Sequence, residues 1–227
     1  MTKAAYDGND GADSVGYAYA LGRGVEQDDE KAVVWFREAA RDESVTNRTV
    51  YYGAVANLGV MYALGRGGLP KDEKRAVALF ERAVRREFAP FCAFPQAHTA
   101  LAICLYEGRG TKQDAARAYA LFREAADFGH PQAQLHVGVL CWRGEGTEKS
   151  PTNALAYLEA AAIHQEPGAT EWRAVVAKEL TAAQREKAAS DGRSIATRVP
   201  PCSDMWRRKP WNFGLPLANL AITESPR

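Results

Sequence analysis

VGYAYALGRGVEQDDEKAVVWFREAA, residues 15–40, recurs in altered form three more times along the chain. The later copies are LGVMYALGRGGLPKDEKRAVALFERAV from Leu58, LAICLYEGRGTKQDAARAYALFREAA from Leu101 and VGVLCWRGEGTEKSPTNALAYLEAAA from Val137. The second glycine of each G-x-G falls at Gly24, Gly67, Gly110 and Gly146, so the steps are 43, 43 and 36 residues. Self-similarity at a period of about 20–50 residues marks a solenoid, where each unit buries its apolar face only against its neighbours. Such a chain builds an extended surface rather than a pocket, and its default use is to hold a partner.

Each copy reads as two helices joined by a glycine turn. In the first copy Ala12, Val15, Gly16 and Tyr19 recur at helical spacing, and Gly22 stops the helix because glycine tolerates the left-handed conformation. Asp28, Asp72, Asp114 and Ser150 then stand at equivalent places as N-caps, and Pro151 follows the last of them at the first helical position. The second helix carries a small-and-bulky column: Ala32, Trp35, Phe36 and Ala39 in the first copy, and Ala118, Leu121, Phe122 and Ala125 in the third. Gly16, Gly59, Ala102 and Gly138 are the matching small residues of the first helix. These columns are read as core, where small residues let helices approach and bulky ones fill the layer between them.

The run carried by Gly16, Tyr19, Gly22, Gly24, Val25, Asp28, Lys31, Ala32 and Trp35 resembles the Sel-one-like repeat (SLR), a longer relative of the tetratricopeptide repeat. The second copy matches with one inserted glycine, Gly68. The third and fourth depart at Leu105 and Cys141 in place of the tyrosine, and the fourth at Ser150 and Asn153 in place of Asp and Lys. The resemblance covers about residues 11 to 163. It implies an all-α, right-handed α/α solenoid of about four SLR helix pairs, and a protein-binding role, since many SLR proteins organise membrane-associated or signalling complexes.

The expected organisation is a lead-in over 1–10 and a solenoid over 11–190, with repeats at about 11–44, 51–88, 96–129 and 132–164. A capping helix over 169–190 follows, with Trp172, Val175, Val176, Leu180 and Ala183 on one face. Residues 191–227 are expected as an extended tail; from Arg198 onward it holds five prolines and no helical period. Two inter-repeat stretches account for the longer steps: 42–50, which is polar, and 88–95, which holds three phenylalanines and two prolines.

With 29 Lys+Arg against 28 Asp+Glu, the net charge of +1 gives no overall pull toward nucleic acid or anionic membrane. The opening MTKAAYDGNDGAD reads as neither a secretory signal nor a transit peptide, and no apolar run approaches membrane-spanning length. Cys92, Cys104, Cys141 and Cys202 show no regular spacing, which fits reduced thiols. The expected location is therefore the cytoplasm. No cofactor and no metal are expected: His98, His130, His136 and His164 fall in different units without ligand spacing. The G-x-G turns follow helices rather than strands, unlike a nucleotide-binding loop. His136 and Cys141, five residues apart, lie on different helix faces, and no enzyme is expected.

In the tetratricopeptide family the first helices line the concave surface, through the residue after the glycine and the residue after the tyrosine. Carried onto this chain, the resemblance implies a groove column of Tyr17, Val60, Ile103 and Val139, and a second of Ala20, Ala63, Tyr106 and Trp142. A third column one turn earlier is Asp13, Ala56, Thr99 and Leu135. The groove should be apolar, with its aromatics toward the fourth repeat, and should suit an apolar or amphipathic segment of a protein partner. Trp206, Trp211 and Phe213, interleaved with Arg207, Arg208 and Lys209, offer the tail as a second contact. The expected function is a non-enzymatic adaptor or scaffold. The alternatives are a structural or regulatory subunit docked through that tail, and an SLR ligand-binding protein or enzyme. A homo-oligomer is possible but not indicated.

Overall fold

The computed structural model describes residues 11–41, 48–85 and 95–198, which form ten helices and no strand. The lead-in, most of both inter-repeat stretches and the aromatic tail lie outside the described residues.

Eight helices make four pairs: α1 (Ala12–Leu21) with α2 (Asp29–Ala39), α3 (Arg48–Leu64) with α4 (Glu73–Ala83), α5 (Pro95–Glu107) with α6 (Ala115–Asp127), and α7 (Pro131–Arg143) with α8 (Pro151–Ile163). Each pair packs on the next through its second helix, and α1, α3, α5 and α7 also touch in succession as one layer. α2, α4 and α6 are amphipathic because one face meets that layer and the other meets water, whereas α8 is covered on its outer side as well. From Val50 to Leu64, α3 carries no charged residue, and Tyr51 to Ala63 are buried without a break.

The pairing depends on the small residues read as core. A Cβ at Gly59 would lie 2.5 Å from the Phe80 ring, and one at Gly138 would lie 2.7 Å from Leu158 Cγ. The caps also stand where expected. Asp28, Asp72 and Asp114 accept hydrogen bonds at 2.9 Å from the backbone N–H of Lys31, Arg75 and Arg117, and Ser150 accepts one at 3.5 Å from Asn153.

The C-terminal cap departs from expectation. The helix expected over 169–190 is two helices, α9 (Ala169–Ala177) and α10 (Ala182–Thr197). Thr181 starts the second through a capping box: its Oγ1 accepts from Gln184 N–H, and Gln184 Oε1 accepts from Thr181 N–H. Trp172, Val176 and Leu180 are buried as expected, Val175 is half-buried and Ala183 is exposed, because the chain changes direction between them. Residues 191–197, expected in the tail, are helical. α10 docks on α8 through Ala188, Gly192 and Ala196. A Cβ at Gly192 would lie 2.5 Å from Glu159 Cβ, so this contact uses a small-residue face and carries no apolar period to read. No described helix is long and apolar enough to cross a membrane.

Candidate functional site

The first helices end in glycine turns, which bring their last residues to one edge of the molecule. There aromatics from α5, α7 and the capping helix α9 meet charged residues. Tyr106 at the end of α5 donates its hydroxyl to the Glu145 carboxylate, and Arg143 donates to the same hydroxyl at 3.4 Å. The Arg143 guanidinium lies 5.6 Å over the Trp172 ring of α9. Trp172 meets Trp142 of α7 edge-on at 5.4 Å, and Trp142 Nε1 donates to Glu179 at 2.7 Å. Lys149 closes the rim 4.0 Å from Glu179. Partial burial, and then the Glu145 carboxylate, raise the Tyr106 pKa, so the phenol keeps its proton as a donor. An apolar centre with a paired polar rim can grip a protein surface without leaving charges unmatched.

The residues expected to line a groove divide sharply. Tyr17, Val60, Ile103 and Val139 are 3 %, 3 %, 0 % and 4 % exposed and belong to the central core, so the first expected column is not an open surface. The correction has a physical reason: all four side chains are wrapped by the tight stacking of the first-layer helices on their neighbours. Of the second column Ala20 and Ala63 are buried, while Tyr106 and Trp142 are half-buried. Of the third, Asp13, Ala56 and Thr99 are buried and Leu135 is half-buried, nearer the other end of α7. Trp206, Trp211 and Phe213 lie outside the described residues. The structure thus brings Tyr106 and Trp142 to one edge and adds Trp172, Arg143, Glu145 and Glu179. Trp172 is both capping core and the floor of this edge, and the signal for the charged residues is that they differ from copy to copy.

Among the described residues, Cys104, Cys141, His98, His130 and His136 are set for packing or capping. Burial pushes the Cys104 thiol up to about 12, far from the thiolate form, and raises Cys141, which lies 3.6 Å from the Tyr119 hydroxyl. His98 Nε2 stands 3.5 Å from Glu124 Oε2. His130 caps α7, its Nδ1 accepting from Ala133 N–H at 3.3 Å with Thr99 Oγ1 3.0 Å away. His136, 2 % exposed, packs on the Phe122 ring at 4.7 Å, and its buried Nε2 has no hydrogen-bond partner.

Burial, and secondarily His130, pull His136 down to about 3, and burial pulls His130 to about 4. An unfolded histidine titrates near 6.5. Between these values the unfolded chain binds the proton that the folded chain refuses. The stability due to the neutral rings is therefore complete above about pH 6.5 and falls as the pH drops toward 4 and 3. We expect His136→Leu to flatten the loss of unfolding free energy between pH 6.5 and 4, read from urea titrations at each pH. Parallel curves for the two proteins would show that His136 does not carry it.

The repeat period, the capped second helices and the glycine-packed pairs have counterparts among known proteins. A Sel1 repeat model matches residues 11–44, 53–87, 95–130 and 131–164. Among solved structures, a Sel1 repeat protein from Oxalobacter formigenes superposes with a TM-score of 0.59 at 24 % identity, over 91 % of this chain and 80 % of that one. A protective antigen present in uropathogenic Escherichia coli strains, displaying an SLR fold, superposes with a TM-score of 0.52 at 20 % identity over 97 % of this chain. This chain spans 50 % of that antigen's length. At these identities the likeness is one of fold. No curated protein matches the chain in sequence. Since four successive matches cover more than half its length, each over one glycine-turned helix pair, the chain belongs to the Sel1 repeat family.

Proposed function

We propose that the chain is a non-enzymatic adaptor that holds a protein partner at the edge formed by Tyr106, Trp142 and Trp172. One observation supports this reading: Tyr106 of α5 and Trp142 of α7, both half-buried, converge over the buried Trp172 of the capping helix α9, within a rim of Arg143, Glu145, Glu179 and Lys149. Aromatic anchors encircled by polar groups are the composition of binding hot spots. The repeat family supports the same reading, as its fold commonly serves protein interaction. The buried free thiols Cys104 and Cys141 suit a reducing compartment, and we place the adaptor in the cytoplasm. The partner segment is apolar or amphipathic, with a basic or acidic flank able to exchange with the rim pairs.

Affinity purification with mass spectrometry, run in parallel on wild type and Tyr106→Ala/Trp142→Ala, tests the site. Each anchor is expected to contribute about 2 kcal/mol to binding, so the double variant loses its partners while its melting temperature stays within a few degrees. Equal yields from both proteins would remove the edge from consideration. Removing residues 199–227, which carry Trp206, Trp211 and Phe213, separates the alternative of a subunit docked through its tail. Loss of the partners on that deletion alone would transfer the function to the tail.

A further inference from the structure

A groove of about 260 Å³ runs along α8, between α6 and α10. Ala156 and Tyr157 of α8 lie between Tyr119 and Arg123 of α6 and the Ser194–Arg198 end of α10. The two tyrosines break the repeat. Tyr119 stands where the other copies have Val33, Val77 and Leu155, and Tyr157 where they have Trp35, Leu79 and Leu121. A hydroxyl adds little to packing at such positions, and one left unpaired costs free energy. Tyr157 is 7 % exposed and lines the groove, and its hydroxyl has no hydrogen-bond partner among the described residues. The Cys141 thiol donates to the Tyr119 oxygen at 3.6 Å, which leaves the Tyr119 proton available to a ligand. Burial raises Tyr119 and pushes Tyr157 up to about 12, so both phenols remain donors.

Positive charge collects beside these donors. Arg123 holds its guanidinium 5.5 Å over the Tyr157 ring, and Arg198 enters from the end of α10. Both turn to one carboxylate, Asp127, at 3.6 and 3.2 Å. Two cations thus share one anion, and the surplus of a single positive charge suits a monoanion such as a carboxylate. Asp191, seven residues before Arg198 and about 10 Å away along α10, also lines the groove and presents the opposite charge. Ala156 and Ile195 supply apolar surface for the body of a ligand. We propose that this groove binds a small zwitterion of dipeptide size, with its carboxylate held by Arg123, Arg198 and the two phenols and its ammonium group toward Asp191. A small concave site with a few convergent polar groups fits such a ligand. The site shares no residue with the Tyr106–Trp142 edge, so either can fail without the other.

Titration of the full chain with L-alanyl-L-alanine, followed through backbone amide NMR signals, tests the site. Saturable shifts are expected at Ala156, Tyr157 and Ser194. The dipeptide amide, which lacks the carboxylate, should cause none, and the N-acetylated dipeptide, which lacks the ammonium, should bind on the order of tenfold more weakly. Tyr157→Phe keeps the ring and removes only the hydroxyl, so it should weaken the dipeptide about fivefold without moving the melting temperature. Arg123→Gln, at an exposed position, should weaken it about tenfold, and Asp191→Asn should erase the difference between the free and the acetylated dipeptide. An absence of saturable shifts at the groove overturns the proposal. So does binding that Tyr157→Phe and Arg123→Gln leave unchanged. Inorganic phosphate that saturates the same amides more tightly than the dipeptide would show a dianion site, and the zwitterion would be ruled out.

Discussion

Phe122→Ala is expected to lower the unfolding free energy by about 3–5 kcal/mol. The ring is fully buried in α6, where it fills the layer opposite the small residue of α5, and it forms one wall of the His136 environment at 4.7 Å. Close-packed neighbours on both sides leave a cavity that helices held by their own hydrogen bonds collapse into only partly. Against a total stability on the order of 5–15 kcal/mol, the loss removes a large share. Urea denaturation at pH 7 measures it, and Leu121→Ala, at a half-buried neighbouring position, is the internal reference with a smaller expected effect. A loss for Phe122→Ala below that of Leu121→Ala would show that the seam between the third and fourth repeats is not the packed centre described above.

Gly110→Ala carries the second large effect, about 3 kcal/mol. Two causes add. The residue has φ +67, where an L side chain costs roughly 1–2 kcal/mol, and its Cβ would run into the Glu73 carbonyl, a backbone group that cannot swing aside. Gly24→Ala separates them, since Gly24 has φ +71 and open space around it. It should cost about 1 kcal/mol, so the difference between the two variants isolates the junction contact. Chemical denaturation of both proteins gives that difference. Equal losses would mean that the glycines serve the turn alone and that the junctions are sealed by side chains instead.

These glycines illustrate how much the repeats disclosed. Their alignment identified Gly22 as a helix stop and Asp114 as a cap, because a stop and a cap are made by residues close in sequence and need no distant partner. The second demand on Gly67, Gly110 and Gly146, close approach to another repeat, was invisible in any single copy. Nothing in the first repeat marks Gly24 as different, for the difference lies in what stands next to it. The groove column failed for a related reason. Tyr17, Val60, Ile103 and Val139 sit where a related family exposes its surface, yet whether such a position is open depends on how tightly successive pairs curl together. Trp142 and Tyr106 reach the surface because they are large side chains in the last turn of their helices, beside the glycine turns, where the equivalent Ala20 and Ala63 are too short to extend.

The C-terminal cap follows the same division. The apolar face of Trp172, Val176 and Leu180 could be read because burial of large side chains leaves a period, whereas α10 docks through Ala188, Gly192 and Ala196, whose smallness leaves none. By itself, then, the sequence determined the repeat, its period, its caps and turns and the all-α class, each resting on interactions a few residues long. Only the tertiary structure decided which face of the stacked helices reaches solvent, that Arg143, Glu145 and Glu179 frame the aromatic edge, and that Gly67, Gly110 and Gly146 abut the preceding repeat. Those outcomes depend on side chains from different repeats meeting at distances set by helix stacking, and no local pattern encodes that geometry.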